Sequence, residues 1–113
     1  MTLRIDKELF QWEKGRFVYI DRTDADPEIS CVQFYNKKTN YGPEISVIDG
    51  KAEIPNFLLK ESLPIVALAC TNVVDGTQVI GRRVFKVLAR AKPEFYIDDD
   101  TSKDIIYDGG VEV

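Results

Sequence analysis

Acidic side chains are the residues of this chain with the clearest capacity for chemistry, because the sequence contains no histidine. The usual general base, the commonest metal ligand and any Ser-His or Cys-His nucleophile pair are therefore missing. Two carboxylates alone can hydrolyse a glycoside, and residues 21–28 and 98–100 supply candidates. Both clusters have the composition of solvated loops, where nothing raises one carboxyl pKa above its neighbour's. We expect no enzymatic activity, with an acid-only hydrolase as the alternative.

Calcium is the metal ion that these carboxylates could bind, because hard cations prefer oxygen ligands. Asp24, Asp26 and Glu28 alternate as calcium ligands do, but they adjoin Pro27 and the remaining ligands are absent. The run at residues 98–100 neither alternates nor surrounds a glycine. Five glycines stand singly at predicted turns and one bulge, and none builds a loop that cradles phosphate; they are Gly15, Gly42, Gly50, Gly76 and Gly81. We therefore expect no metal ion and no cofactor.

The charge balance excludes two classes of partner. Fifteen basic and nineteen acidic residues give a net charge of −4, the wrong sign for a protein that neutralises nucleic-acid phosphates or anionic lipids. The longest apolar run, residues 64–70, is far shorter than a membrane span, and the first residues contain no export signal. We expect the single basic concentration to pair with the acidic tail or a neighbouring subunit's loop; it comprises Arg82, Arg83, Lys86, Arg90 and Lys92.

Strand patterns dominate the sequence, and no long window has a helical period. Val32 and Phe34 should face the core from a strand at residues 29–35. Gly81 should mark a bulge or a bend between sheets in a strand at residues 77–88. Residues 64–71 should form a strand buried on both faces or nearly so. Asn56 could cap one helical turn. Two hairpins are predicted, joining residues 9–13 to 16–20 and residues 45–48 to 51–54 across Asp49-Gly50.

Short strands separated by turns predict an all-β fold, an antiparallel immunoglobulin-like β-sandwich with a short helical turn. We place this domain at residues 1–93 and an acidic C-terminal arm or linker at residues 94–113. Cys31 and Cys70 lie in apolar strands, where free thiols commonly act as small hydrophobes. A disulfide would be possible if their strands face each other, but we expect two buried thiols.

Aromatic residues occur at strand spacing and leave two interpretations open. They could fill the core, or they could form a platform on which a sugar stacks. The first interpretation predicts that Trp12 and Tyr19 are largely buried, and the second predicts an exposed coplanar cluster. The residues concerned are Phe10, Trp12, Phe17, Tyr19, Phe34, Tyr35 and Phe85.

Two parts of the sequence resemble a known family. The first is Ile54-Pro55-Asn56-Phe57-Leu58-Leu59-Lys60 with the following strands at residues 63–68 and 83–87, separated by Gly76-Thr77. The second is residues 87–96, where a valine, a basic residue, Lys-Pro and an aromatic residue follow in this order. We call this pattern the exit, because it stands where the domain ends and a linker begins. Together they resemble phage tail and baseplate proteins of Gram-positive hosts, in particular the immunoglobulin-like N-terminal domain of upper baseplate proteins. The likeness extends over residues 17–96.

This resemblance implies a non-enzymatic phage virion structural protein of the tail or baseplate, made in the host cytoplasm. The chain stops soon after the exit instead of continuing into a coiled coil, fibre or receptor-binding region, which suits an accessory or connecting component. Other virion structural proteins, and further copies in a symmetric oligomer, are the expected partners. The alternatives are a carbohydrate-binding module for host attachment and a head decoration or head-to-tail connector protein.

The arm is the predicted means of assembly. Its apolar side chains should dock on a neighbouring subunit, for example by adding a strand to an exposed sheet edge. The predicted partner-binding residues are Arg90, Lys92, Phe95, Tyr96, Ile97, Ile105, Ile106 and Tyr107.

Overall fold

The computed structural model describes residues 1–39 and 42–98. These residues form nine β-strands and one 3₁₀ turn. The strands are β1 Thr2–Arg4, β2 Leu9–Phe10, β3 Phe17–Asp21, β4 Cys31–Tyr35, β5 Glu44–Ser46, β6 Lys51–Glu53, β7 Ile65–Val73, β8 Gly76–Phe85 and β9 Val87–Leu88; the 3₁₀ turn is Asn56–Lys60.

The strands form two antiparallel sheets and one short parallel pair. The three-stranded sheet has the order β1-β3-β6 and the four-stranded sheet the order β5-β4-β7-β8. Strand β2 pairs with β9 in parallel, close to the carboxyl end of the described chain. The predicted all-β class with antiparallel sheets is confirmed, whereas the parallel pair had no counterpart in the sequence prediction.

One hydrophobic core takes side chains from both antiparallel sheets. Val18 of β3 and Val32 and Phe34 of β4 are fully buried, and the 3₁₀ turn adds Leu58 and Leu59. The alternation along β4 therefore points the predicted pair, Val32 and Phe34, into the core. The predicted helical turn is also confirmed, and two of its leucines close one part of the core.

The 3₁₀ turn and β7 each depart from the prediction in one respect. Asn56 does not cap the turn with its side chain and is itself buried. In β7 only one face is fully buried, because Val66 and Leu68 on the other face are half-buried. The apolar run at residues 64–70 predicted two faces that are buried or nearly so, and within the described residues one of them is only half-buried.

The bulge predicted at Gly81 is present in β8. Ala69 pairs with Gly81 and Cys70 pairs with Val79, which leaves Ile80 as the extra residue. A β-carbon at position 81 would collide with the Met1 side chain. The colliding atom is the terminal methyl of Met1, so a larger residue at position 81 would require this flexible side chain to move.

The first predicted hairpin is wrong. Trp12 has a positive φ of 70° and ends the strand, while β3 pairs with β1 and β6 instead of β2. The Glu13 carboxylate accepts a hydrogen bond from the Phe10 N–H and one from the Arg16 guanidinium. Because Arg16 is buried and held by these local acceptors, the chain turns here without forming a two-stranded ladder.

The second predicted hairpin is right about the turn and wrong about the strands. Ile48 and Lys51 exchange backbone hydrogen bonds around Asp49 and Gly50, which both have positive φ. The strands on either side, however, belong to different sheets, since β5 pairs with β4 and β6 pairs with β3. The tight turn is therefore a corner that leads the chain from one sheet to the other.

The two cysteines lie directly opposite each other on β4 and β7, and both are free and buried, as predicted. Burial raises the pKa of the Cys70 thiol to about 11, and the nearby Cys31 thiol contributes to the increase. A group that ionises so reluctantly is a poor nucleophile at neutral pH.

Candidate docking segment at the carboxyl end of the fold

Four side chains form a cluster where the chain leaves its last strand. We call Trp12, Lys14, Lys92 and Tyr96 the exit cluster. The Tyr96 ring packs edge-on against the Trp12 ring, with centroids 5.2 Å apart and an interplanar angle of 72°. The Lys14 Nζ lies 4.7 Å from the Tyr96 centroid, and the Lys92 Nζ lies 5.2 Å from the Trp12 centroid. Each ring therefore has a cation over it, an arrangement that stabilises the aromatic pair.

Hydrogen bonds between side chains and backbone connect residues 11–12 with Arg90 and position this cluster. The Trp12 indole N–H donates to the Arg90 carbonyl at 3.1 Å, and the Arg90 Nε donates to the Gln11 carbonyl at 2.8 Å. The Gln11 side-chain carbonyl accepts from the Arg90 N–H at 3.1 Å. Because β2 and β9 are paired just before these residues, the parallel pair brings Trp12 to the chain exit.

The segment after Pro93 is held against the fold at several points. The Tyr96 N–H donates to the Pro93 carbonyl at 3.1 Å, which makes a tight turn. Lys14 donates to the Ile97 carbonyl, and the Lys60 Nζ lies 2.7 Å from the Asp98 carboxylate. A surface pocket of about 380 Å³ lies along this segment and is lined in part by Trp12 and Tyr96.

Two large apolar side chains of this held segment are exposed. Phe95 is 86% exposed and Ile97 is 74% exposed, whereas Tyr96 between them is half-buried against Trp12. The side chains of Phe95, Tyr96 and Ile97 thus point outward, inward and outward. Side chains that are fixed in place yet uncovered are suited to contact another molecule.

The predicted partner-binding residues separate into three groups. Phe95 and Ile97 point outward, in line with the arm hypothesis. Tyr96, Lys92 and Arg90 make contacts within the chain, so Tyr96 folds back although the sequence suggested that it leaves the fold. The remaining predicted residues lie outside the described part of the chain and stay predictions; they are Ile105, Ile106 and Tyr107.

Among the residues of the candidate sugar platform, two rings are buried and two others are inclined to each other and approached by cations. Phe34 and Phe85 are buried, while Trp12 and Tyr19 are half-buried instead of largely buried as the core interpretation predicted. Phe17 and Tyr19 are inclined by 48°, so the two rings are not coplanar. Cations also cover them, because Arg4 lies 5.0 Å from the Tyr19 centroid and Lys51 lies 4.6 Å from the Phe17 centroid.

The acidic loop is occupied by structural contacts. Asp21 pairs with Arg4 at 2.6 Å, and Asp26 lies 3.1 Å from the N-terminal amine. The Asp26 carboxylate accepts a hydrogen bond from the Thr23 backbone N–H and another from the N-terminal amine. Both lower the pKa of Asp26, and the first has the larger effect. A general acid needs a raised pKa. Among the described residues, no group of three or more acidic or sulfur side chains could hold a metal ion.

A buried charged centre was missed by the sequence interpretation. Arg16 is 7% exposed, and its guanidinium donates to the Asp6 carboxylate at 3.0 Å, to Glu13 and to two backbone carbonyls. The hydrogen bond from Arg16 lowers the pKa of Asp6. The acids before Arg16 in the sequence were the available signal, but their spacing fits no regular strand or helix pairing. The centre fixes the turn that carries Trp12 and Lys14.

Comparison with known protein families, curated proteins and solved structures found no match for the chain. In the part of the chain that the structure describes, no helix is both long and apolar enough to span a membrane.

Proposed function

We propose that this chain is a non-enzymatic structural protein of a phage virion, in the tail or baseplate, that acts by assembling with copies of itself and other virion proteins. The observation that carries the proposal is the exposure of Phe95 and Ile97 on a segment that the exit cluster and the Lys60–Asp98 ion pair hold in place. Covering a large apolar side chain contributes roughly 1.5–3 kcal/mol. Contact with a second subunit would therefore stabilise an assembly.

The fixed backbone of this segment favours binding. A flexible tail loses conformational freedom when it docks, and that loss opposes association. Here the turn at Pro93 and the contacts of Tyr96 order the segment before any partner arrives. In a symmetric oligomer the same contact recurs at each subunit, so a small patch contributes repeatedly.

The phage assignment rests on the sequence resemblance, and the architecture is compatible with it. Two antiparallel sheets with a shared core support the proposal of an immunoglobulin-like β-sandwich. A head decoration or connector protein would use the same features, and its position in a particle would distinguish it. Carbohydrate binding is the weaker candidate, because cations already cover Phe17 and Tyr19.

Light scattering coupled to size-exclusion chromatography tests the assembly function. The full-length chain should form an oligomer of defined mass, and Phe95→Ser/Ile97→Ser should reduce it to a monomer. Ile48→Ser/Val74→Ser is the matched control, because it also removes two exposed apolar side chains, which are 66% and 100% exposed. The control should keep the oligomer, and electron microscopy should show rotational symmetry.

Two results would contradict the proposal. A full-length chain that stays monomeric at high concentration would exclude self-assembly. An oligomer that survives the substitutions at Phe95 and Ile97 would show that this segment is not the contact.

A further inference from the structure

Strand β8 offers a long open edge. It is the outermost strand of the four-stranded sheet, runs for ten residues and pairs only with β7 among the described residues. Alternate N–H and C=O groups of an edge strand point away from the sheet and can pair with another chain. The other outer strands of the antiparallel sheets, β1, β5 and β6, each have three residues. Edge length therefore favours β8.

The end of β8 has an alternating pattern of charge. Arg82 and Val84 share one face of the strand, and Lys86 follows directly in the same alternation. All three are exposed, with Val84 at 43%. On the other face, Phe85 is buried and the Arg83 guanidinium donates to the Leu3 carbonyl at 2.6 Å. Along the outward face, an apolar side chain thus stands between two basic side chains.

The sequence beyond the described residues contains the complementary pattern. Residues 104–108 read Asp-Ile-Ile-Tyr-Asp, so an extended conformation would place Asp104, Ile106 and Asp108 on one face. The order is acid, apolar, acid. Residues 99–113 contain five acidic residues and one lysine, whereas residues 1–98 contain fourteen of each sign. The whole net charge of −4 therefore lies in the segment that follows Asp98.

We propose that residues 104–108 of a second copy of this chain add a strand to the β8 edge, with Ile106 opposite Val84. The two aspartates then lie opposite Arg82 and Lys86, where opposite charges on neighbouring strands attract each other. Both patterns are symmetric about their apolar centre, so they match in either strand direction. This inference rests on the proposed assembly function and names the receptor surface that the function needs.

The chain between the two contacts can reach away from the fold. Asp98 is held by Lys60, and Asp104 follows six residues later, a distance of up to about 20 Å when the chain is extended. Exposed edges are the surfaces at which separate chains commonly join by strand addition. The first contact, at Phe95 and Ile97, would place the second copy close by.

Charge reversal on the full-length chain tests the inference. Arg82→Glu/Lys86→Glu makes the edge acidic, and Asp104→Lys/Asp108→Lys makes the arm basic. Each variant alone should lose the oligomer, because like charges would then face each other. An equimolar mixture should form an oligomer that contains both variants, since each arm meets an edge of opposite charge on the other variant. Lys7→Glu/Lys37→Glu reverses two exposed lysines elsewhere and should leave the mass unchanged.

The outcomes separate the two proposals. An oligomer that survives both reversals but is lost in Phe95→Ser/Ile97→Ser overturns the β8 docking and leaves the assembly function standing. Two monomeric variants that do not combine on mixing overturn pairing between copies, including the case in which an arm docks on its own chain. A full-length chain that is monomeric overturns both proposals.

Discussion

Two short segments of this protein are built alike and end in opposite environments. Each begins with a proline and a polar residue and continues through three apolar residues. In each, the N–H three residues after the proline donates to the proline carbonyl at 3.1 Å and closes a turn. In the 3₁₀ turn, Leu58 and Leu59 are fully buried. In the exit segment, Phe95 and Ile97 are exposed. The segments even meet, because Lys60 pairs with Asp98.

The difference lies in what surrounds each turn. The 3₁₀ turn precedes β7, and its residues Leu58 and Leu59 belong to the hydrophobic core. The exit segment follows the last strand, and within the described residues only Tyr96 finds a cover, the ring of Trp12. In the 3₁₀ turn the apolar residues stabilise the monomer. In the exit segment they are available to a partner.

The largest expected effect is a difference in stability between a substitution in the 3₁₀ turn and one in the exit segment. Leu58→Ala leaves a cavity in the core and should reduce the free energy of unfolding by about 2–5 kcal/mol. Phe95→Ala, the matched substitution in the exit segment, should change it by less than about 0.5 kcal/mol in the monomer. Urea denaturation of both variants, in an assembly-deficient background, measures the contrast. Equal losses would contradict it.

Alkaline pH should destabilise the buried region through the Cys70 thiol. The pKa of Cys70 is raised from 9.0 to about 11, so the folded state keeps a proton that the unfolded state releases. Stability is complete below pH 9 and falls as pH rises towards 11, by up to roughly 2–3 kcal/mol. Cys70→Ala should flatten this part of the pH profile in denaturant titrations. An unchanged slope in the variant would show that another group is responsible.

The smallest effect should report on the exit cluster directly. Trp12 is the sole tryptophan, so its fluorescence senses the packing of Tyr96. Tyr96→Ala should shift the emission to longer wavelength and lower the free energy of unfolding by about 0.5–1.5 kcal/mol. Tyr35→Ala, at a half-buried tyrosine on β4, is the control and should leave the emission unchanged. Unaltered emission in Tyr96→Ala would mean that the rings do not pack in solution.

Local features were the ones that the sequence could predict. The alternation of Val32 and Phe34, the Asp49-Gly50 turn and the bulge at Gly81 each depend on a few neighbouring residues. The all-β class follows from many such signals. Strand partners were not predictable in the same way, since a tight turn can close a hairpin or lead the chain to another sheet, as it does after β5.

The candidate site depends on contacts between distant residues. Trp12 and Arg90 are 78 positions apart, and nothing near either residue shows that β2 and β9 will pair. The sequence therefore identified Phe95 and Ile97 as outward residues but not the reason that Tyr96 turns inward. Arg16 was missed because its acceptors come from irregular backbone, where no period guides prediction.

Hydroxyl-radical footprinting across a concentration series tests most directly whether the exit segment is an interface. The account predicts that Phe95 and Ile97 become protected as concentration rises, over the range in which light scattering shows the mass increase. Exposed Val74, at the turn between β7 and β8, should keep its reactivity. Constant reactivity of Phe95 and Ile97 in the oligomer would contradict the account.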